Sequence, residues 1–202
     1  MDVELFFDPR CPWTWRTSRW LVAAAAQRGL TPVWRTFDLD SLDPGRAVPP
    51  EEQPGEEGAR AVQRLVEACR AQDRRDDAGR VYEAYGRLVH DQGRTPGTDA
   101  AREAVLSLGL DDLLAAIDDL DLDEAVWSST AEAVSLVGDR AGSPVLAVTL
   151  DGRRRGVFGP VQTRAVVDER AGAVWDAVVA LVGVPEVVEL ARDRDLGPQP
   201  DA

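Results

Sequence analysis

The sequence predicts an α/β fold in which a strand-helix-strand half and a hairpin-helix half are separated by an all-helical insertion. Three observations carry this prediction: an apolar run at residues 3–7 that a helix and a second strand follow, a helical pattern over 58–140, and strand character that returns after residue 140. A chain of 202 residues with 44% hydrophobic residues can bury one sizeable core. We therefore expect a discontinuous α/β domain formed by residues 1–40 and 141–192, interrupted by the helical insertion 58–140.

The first half begins with the short apolar strand Val3–Phe7. Asp8-Pro9 ends this strand, and Pro12 stands where a proline is favoured as the first residue of a helix, because its missing N–H would have no partner there. The helix is expected to end at Gly29, which can cap it in a left-handed conformation. The alternating segment Thr31–Phe37 then predicts a second strand, parallel to the first.

Two segments separate the halves of the α/β domain. Residues 41–57 contain four prolines and few apolar side chains, which predicts an exposed crossover loop that lies over the active site. Residues 58–140 follow a helical pattern throughout. Cys69 falls on the same apolar stripe as Leu65, so we interpret it as a core residue and not as a displaced second active-site thiol.

The second half begins with two strand-like runs, Pro144–Leu150 and Arg155–Phe158, on either side of Asp151-Gly152. The Asp-Gly dipeptide is typical of a tight turn, so these runs predict a β-hairpin. An apolar helical stripe that ends at Gly183 predicts the last long helix. Residues 193–202 are rich in charge and proline and predict a loose tail.

The composition excludes several classes of partner and cofactor. The formal net charge of -13, without a basic stripe to offset it, argues against nucleic acid. No apolar run is long enough to span a membrane and no leader precedes the first strand, so we expect no membrane partner and a cytoplasmic location. Two cysteines do not make a disulfide framework, which agrees with a reducing compartment. Metal-ligand spacing and a glycine-rich nucleotide fingerprint are both missing, so neither a metal nor a nucleotide cofactor is expected.

Cys11 is the candidate nucleophile. It falls at the N-cap of the first predicted helix, directly before Pro12, where the free N–H groups of Trp13 and Thr14 are expected to point toward the sulfur. The partial positive charge of a helix N-terminus stabilises a thiolate and lowers the pKa of a thiol. The alternative interpretation is a buried structural cysteine.

The segment Phe7–Trp15, with the sequence Phe-Asp-Pro-Arg-Cys-Pro-Trp-Thr-Trp, resembles the active-site start of thioredoxin-fold proteins of the DsbA superfamily. It is especially similar to the actinobacterial mycothiol-dependent nitroreductase family, which usually has Phe-Asp-Pro-x-Cys-Pro-Trp-Cys-Trp. Tyr85–Gly93 resembles a family segment that contains His-Asn-Gln-Gly, and Gly142-Ser143-Pro144 resembles its Gly-Thr-Pro. The resemblance implies a thioredoxin-like fold and a low-molecular-weight thiol, mycothiol, as the cofactor.

The resemblance also implies roles for residues around Cys11. Thr14 stands where the family has its resolving cysteine, and its hydroxyl is expected to donate a hydrogen bond to the sulfur; an ordinary first-turn threonine is the alternative. Pro12 and an exposed Trp13 are expected to bind the substrate or the thiol, although a core tryptophan would look the same in sequence. Ser143-Pro144 matches the position of a cis-proline opposite the cysteine, where the preceding backbone can pair with a bound thiol.

The inserted helices supply the remaining candidates. His90, the only histidine, projects away from the stripe of Tyr82 and Tyr85 on a helical wheel, and we interpret it as a proton donor or substrate anchor. A solvated surface histidine is the alternative. If the resemblance holds, Tyr82, Tyr85 and His90 face the thiolate, with Trp13, across a groove that suits a small conjugated or aromatic substrate.

Three functions follow from these residues. The first is a thiol-dependent oxidoreductase that uses Cys11 with a low-molecular-weight thiol to reduce or conjugate a small substrate; without a cysteine at position 14, turnover must be monothiol. The second is a cis-trans isomerase similar to 2-hydroxychromene-2-carboxylate isomerases, in which a lone thiolate adds reversibly to a conjugated substrate. The third is a redox-inactive binding module that retains the fold. A homodimer is left open as the oligomeric state.

Overall fold

The structure, a computed structural model, describes residues 1–42, 56–138, 141–193 and 196–199. Its elements follow in the order β1 (Val3–Phe7), α1 (Pro12–Arg28), β2 (Pro32–Thr36), α2 (Glu56–Ala71), α3 (Arg75–Gly86), a π-helical turn (Arg87–Asp91), α4 (Thr98–Ser107), two 3₁₀ segments (Asp111–Asp118 and Leu120–Leu122), α5 (Asp123–Val137), β3 (Val145–Leu150), β4 (Arg153–Phe158) and α6 (Ala171–Val182).

The four strands form one sheet in the order β2-β1-β3-β4. β1 pairs in parallel with β2 and antiparallel with β3, which in turn pairs antiparallel with β4. This topology confirms the predicted fold: a strand-helix-strand half and a hairpin-helix half with a helical insertion between them, in the thioredoxin-like arrangement. The observed strands lie within a residue or two of their predicted ends.

The central strand β1 is buried on both faces, which explains its continuous apolar sequence. Leu5 and Phe7 belong to the large core shared with α1, α6 and the inserted helices. Phe6 points to the opposite face and joins a smaller cluster with Ala133 of α5. A buried central strand gives the turn that follows Phe7 a rigid base.

The insertion is helical, but its last helix does not stand apart from the sheet. α5 lies inside the predicted range 58–140 and contacts all four strands. The predicted boundary between the helical insertion 58–140 and the second part of the α/β domain therefore stays a prediction. No helix in the described ranges is long and apolar enough to cross a membrane.

Two predicted segments lie largely beyond the described residues. Residues 43–55 of the predicted crossover loop 41–57 are outside them, and with them the prediction that this loop covers the active site. In the predicted tail 193–202, residues 194–195 and 200–202 are also outside the described part. Within it, the Gln199 backbone N–H donates a hydrogen bond of 2.6 Å to the Thr163 carbonyl oxygen.

Candidate active site

Cys11 lies at the N-cap of α1, as predicted, with Pro12 as the first helical residue. Its backbone N–H donates to the Asp8 carbonyl oxygen at 3.1 Å, and its own carbonyl accepts from the Trp15 N–H at 3.0 Å. The residue is only 2% exposed. A short turn at the end of β1 thus delivers the thiol to the start of the helix and holds it beneath the surface.

The Cys11 thiol contacts the loop that precedes β3. Its S–H donates to the carbonyl oxygen of Ser143 across 3.3 Å, and the Ser143-Pro144 peptide bond is cis, as the resemblance implies. The described hydrogen bond of the Cys11 side chain is therefore the one to this loop, and the contact with the N–H groups of Trp13 and Thr14 stays a prediction. A protonated thiol needs an acceptor, and the Ser143 carbonyl supplies it.

A hydroxyl pair links the helix to the same loop. The Thr14 hydroxyl lies 2.7 Å from the Ser143 hydroxyl, and the backbone N–H of Asp8 donates to Ser143 Oγ at 2.8 Å. The described partner of the Thr14 hydroxyl is therefore Ser143, where the sequence predicted the sulfur of Cys11. Thr14 fills the position of a resolving cysteine with a fully buried polar side chain that ties α1 to the proline loop.

A buried ion pair, which the sequence analysis missed, fixes the turn between β1 and Cys11. The carboxylate of Asp8 accepts from the Arg10 guanidinium at 3.0 Å and from the backbone N–H groups of Arg10 and Leu39 at 2.8 and 3.1 Å. Burial lowers the pKa of Arg10, but the charges of Asp8 and Asp40 outweigh it and raise the pKa above its ordinary value. The Asp-x-Arg spacing just before the cysteine was the available signal in sequence.

His90 reaches the same turn from the insertion. Its Nε2 lies 2.9 Å from the carbonyl oxygen of Pro9, and its ring stacks on Trp15 with centroids 5.8 Å apart. Because a carbonyl oxygen only accepts, Nε2 carries the proton, and Nδ1 of the neutral ring is left as an acceptor. Burial lowers the pKa of His90 below its ordinary value, so the neutral ring predominates at pH 7.

The alternative of a solvated surface histidine is therefore wrong, because the His90 side chain is partly buried against α1. The helical wheel assumed a continuous α-helix through His90. The structure ends α3 at Gly86 and continues as the π-helical turn Arg87–Asp91, which changes the direction of the side chains that follow. Such π-helical turns are frequent at functional sites.

The structure does not place Tyr82 and Tyr85 on an open groove. Both side chains are fully buried, and Tyr82 stacks on Phe7 with ring centroids 3.8 Å apart. Burial raises the pKa of both phenols, although Ser18 beside Tyr82 and the Gly97 backbone beside Tyr85 lower it slightly. The prediction that they line a groove is wrong for this conformation, because the stripe that carries them is the face of α3 that packs on the sheet.

Pro12 and Trp13 are partly exposed beside Cys11.

No metal centre is formed within the described ranges, since no three His, Cys, Asp or Glu side chains converge there. The Cys11 sulfur and the backbone carbonyl of Ser143 face each other. Cys69 is fully buried in the core, and burial raises the pKa of its thiol to about 11. Of the two cysteines, Cys11 lies at a helix N-terminus and Cys69 lies in the core; the catalytic role of Cys11 stays a prediction.

The fold is that of the DsbA-like thioredoxin-fold proteins. A solved 2-hydroxychromene-2-carboxylate isomerase aligns with a TM-score of 0.61 and 17% identity over 90% of this chain and 96% of that chain. The cytosolic disulfide reductase DsbM from Pseudomonas aeruginosa aligns with a TM-score of 0.59 and 18% identity over 90% of this chain and 100% of that chain. At these identities the likeness establishes the fold.

Sequence comparison identifies the family. Residues 10–192 match the Rv2466c-like family, described as mycothiol-dependent nitroreductase Rv2466c, and the chain belongs to this family. The uncharacterized protein Rv2286c of Mycobacterium tuberculosis is 30% identical over 197 residues, which are 95% of this chain and 82% of that protein. Family and fold together support thiol-dependent redox chemistry with a low-molecular-weight thiol.

Proposed function

We propose that this protein is a monothiol oxidoreductase in which Cys11 carries electrons from mycothiol to a small substrate. The observation that carries the proposal is the placement of the Cys11 thiol at a helix N-terminus, 3.3 Å from the backbone carbonyl of Ser143, with a threonine at the resolving position. Membership of a mycothiol-dependent family supports the choice of thiol. Action in the cytoplasm belongs to the same proposal.

The proposed cycle uses two thiol-disulfide exchanges. In the first, the Cys11 thiolate attacks the mycothiol sulfur of a mixed disulfide between mycothiol and the substrate; a protein-mycothiol disulfide forms and the substrate thiolate leaves. In the second, the thiolate of another mycothiol attacks this disulfide, forming oxidised mycothiol and releasing the Cys11 thiolate. One substrate disulfide is reduced and two mycothiol molecules end as one disulfide, so a second protein cysteine is not needed.

A small substrate suits the burial of the site better than a protein disulfide. Cys11 is 2% exposed, whereas a disulfide in a folded partner would require an accessible sulfur. The partly exposed Trp13 and Pro12 beside the sulfur offer apolar surface to an aromatic or conjugated molecule.

Mass spectrometry after incubation with oxidised mycothiol tests this proposal. We expect one mycothiol adduct, located on the peptide that contains Cys11. Cys69→Ser is the matched control and should keep the adduct and the turnover, because the Cys69 thiol is buried and its pKa is raised to about 11. Cys11→Ser should lose both. Full turnover by Cys11→Ser would overturn the proposal.

The threonine at position 14 also favours a second candidate, a cis-trans isomerase. The Cys11 thiolate would add to a conjugated carbonyl compound; the new C–S bond converts a double bond into a single bond, this bond rotates, and elimination of the thiolate restores the double bond. Such a cycle transfers no net electrons and needs no resolving cysteine. Conversion of candidate conjugated substrates without a reductant would support it, and a stoichiometric requirement for mycothiol would exclude it. Absence of both activities would favour a redox-inactive binding module.

A further inference from the structure

The π-helical turn Arg87–Asp91 contacts the chain on both sides of Cys11. His90 bonds the carbonyl of Pro9, two residues before the cysteine. The next residue, Asp91, uses one carboxylate oxygen, Oδ1, to accept from the indole Nε1–H of Trp15 at 2.8 Å and from Arg16 Nη1 at 3.3 Å. Trp15 and Arg16 follow the cysteine by four and five residues. One short turn of the insertion therefore contacts the chain immediately before and immediately after the thiol.

Trp15 connects these two contacts. Its fully buried ring stacks on His90 with an interplanar angle of 23°, so the orientation of the indole sets the surface on which the imidazole lies. Gly86 packs directly on this ring, and a Cβ at Gly86 would collide with it. The glycine thus permits the π-helical turn to approach α1 closely enough for Asp91 to reach the indole N–H.

The hydrogen bond to Trp15 is the shorter of the two described contacts of Asp91. Its length of 2.8 Å is typical of a charge-assisted bond, whereas the contact with Arg16 is longer, at 3.3 Å. The Trp15 ring is fully buried, whereas Asp91 lies at the surface and its hydrogen bond to the indole N–H is part-buried; without Asp91 the indole N–H would lose its described protein acceptor. Packing on Gly86 and Tyr82 confines the ring, and the hydrogen bond with Asp91 is the polar contact that favours one orientation of its N–H.

We propose that Asp91 is a positioning residue for the Cys11 site. Through the indole of Trp15 it orients the ring of His90, so that Nε2–H points at the Pro9 carbonyl and the turn that carries Cys11 is held in place. As far as turnover is concerned, this inference rests on the proposed oxidoreductase function. The orientation of His90 can be measured without any substrate.

Because His90 is the only histidine, long-range ¹H–¹⁵N NMR of the imidazole reports on it alone. At pH 7.5 we expect the native protein to show the neutral Nε2–H tautomer. Asp91→Ala should give a mixture of tautomers, and Asp91→Asn, whose amide oxygen can still accept from the indole, should restore the native spectrum. Asp176→Ala is the matched control, because Asp176 pairs with Arg28 at the far end of the same helix, and it should leave the spectrum unchanged.

In turnover with mycothiol, Asp91→Ala should lower kcat about tenfold, the effect of one lost charge-assisted hydrogen bond, with little change in KM. Asp91→Asn should stay within about threefold of the native rate. If Asp91→Ala does not fold, Trp15→Phe replaces it: it keeps a ring against His90, lacks the N–H, and should give the same mixture of tautomers. A native tautomer spectrum in Asp91→Ala or Trp15→Phe would overturn the proposal. If the native protein shows no turnover with mycothiol while the tautomers change as expected in the variants, only the proposed function is overturned.

Discussion

The Cys11 thiol and the Ser143 carbonyl face each other across 3.3 Å, with the thiol as the donor. This contact exists only while the sulfur is protonated, because a thiolate has no hydrogen to donate. On ionisation the sulfur can no longer donate to Ser143, while the positive end of the helix dipole at the N-terminus of α1 stabilises the thiolate. The carbonyl that stabilises the resting thiol is then available to an incoming thiol compound.

The Ser143 hydroxyl should contribute to stability independently of its carbonyl. Ser143→Ala removes the acceptor of the Asp8 N–H and the partner of Thr14, both of which are buried. We expect the free energy of unfolding to fall by about 1–3 kcal/mol, the cost of buried polar groups left unpaired. Denaturant unfolding measures this change. Ser135→Ala, which removes an exposed helical hydroxyl, is the control, and an equal loss in both variants would contradict the prediction.

Thr14→Cys should convert the monothiol site into a dithiol site. Positions 11 and 14 are the N-cap and the third residue of α1, and side chains at this spacing lie close enough for a disulfide. We expect mass spectrometry after mild oxidation to show an intramolecular disulfide between Cys11 and the thiol introduced at position 14. Thr17→Cys is the control, because its position lies about 9 Å along the helix axis from Cys11. Two free thiols at these positions in oxidised Thr14→Cys would contradict the prediction.

The buried hydroxyl of Tyr82 should not contribute to stability. Its neighbour, the Ser18 hydroxyl, already donates to the Trp15 carbonyl and accepts from Arg19 Nε, so Tyr82→Phe removes a buried polar group and leaves Ser18 with both of these hydrogen bonds. We expect the free energy of unfolding to stay constant or to rise by about 1 kcal/mol. Tyr82→Leu, which also loses the stacking on Phe7, should be destabilised. A clear loss of stability in Tyr82→Phe would contradict the prediction.

The sequence predicted the fold and the position of Cys11 because both depend on local signals. Asp8-Pro9 ends a buried strand and Pro12 begins a helix, and these features bring a cysteine to an N-cap in any tertiary context. Tyr82 was misplaced because an apolar helical face that packs on a sheet and one that lines a groove have the same periodicity. Asp91 was missed because its partner Trp15 is 76 residues away and a wheel built on 3.6 residues per turn cannot show a π-helical turn.

The low pKa of His90 should make the protein less stable in mild acid. Burial lowers this pKa below 6.5 in the folded state, with Arg16 lowering it further and the Pro9 carbonyl, Asp91 and Asp8 opposing. As the pH falls below about 6.5, the unfolded chain takes up the proton before the folded protein does, so the free energy of unfolding decreases and levels off below the folded pKa. Denaturant unfolding between pH 8 and 5 should show this decrease. It should be smaller in His90→Gln; the same decrease in both proteins would assign it to other groups.

His90→Gln should also separate proton transfer from thiol activation. A glutamine amide N–H can still donate to the Pro9 carbonyl, which His90 Nε2 contacts at 2.9 Å, so the turn before Cys11 retains its anchor. The amide cannot exchange a proton with substrate, whereas an imidazole can. If His90 acts as the proton donor, we expect turnover to fall about ten- to a thousandfold while the alkylation rate of Cys11 stays nearly unchanged.

Comparing the two rates distinguishes the roles that the geometry allows. An equal loss of turnover and of Cys11 alkylation would show that the imidazole acts on the sulfur itself. No loss of either would restrict His90 to holding the Pro9 carbonyl, a task that the glutamine performs as well. Loss of turnover alone would show that His90 transfers a proton to or from the substrate. Formation of the Cys11 thiolate at the N-terminus of α1 would then not require the imidazole.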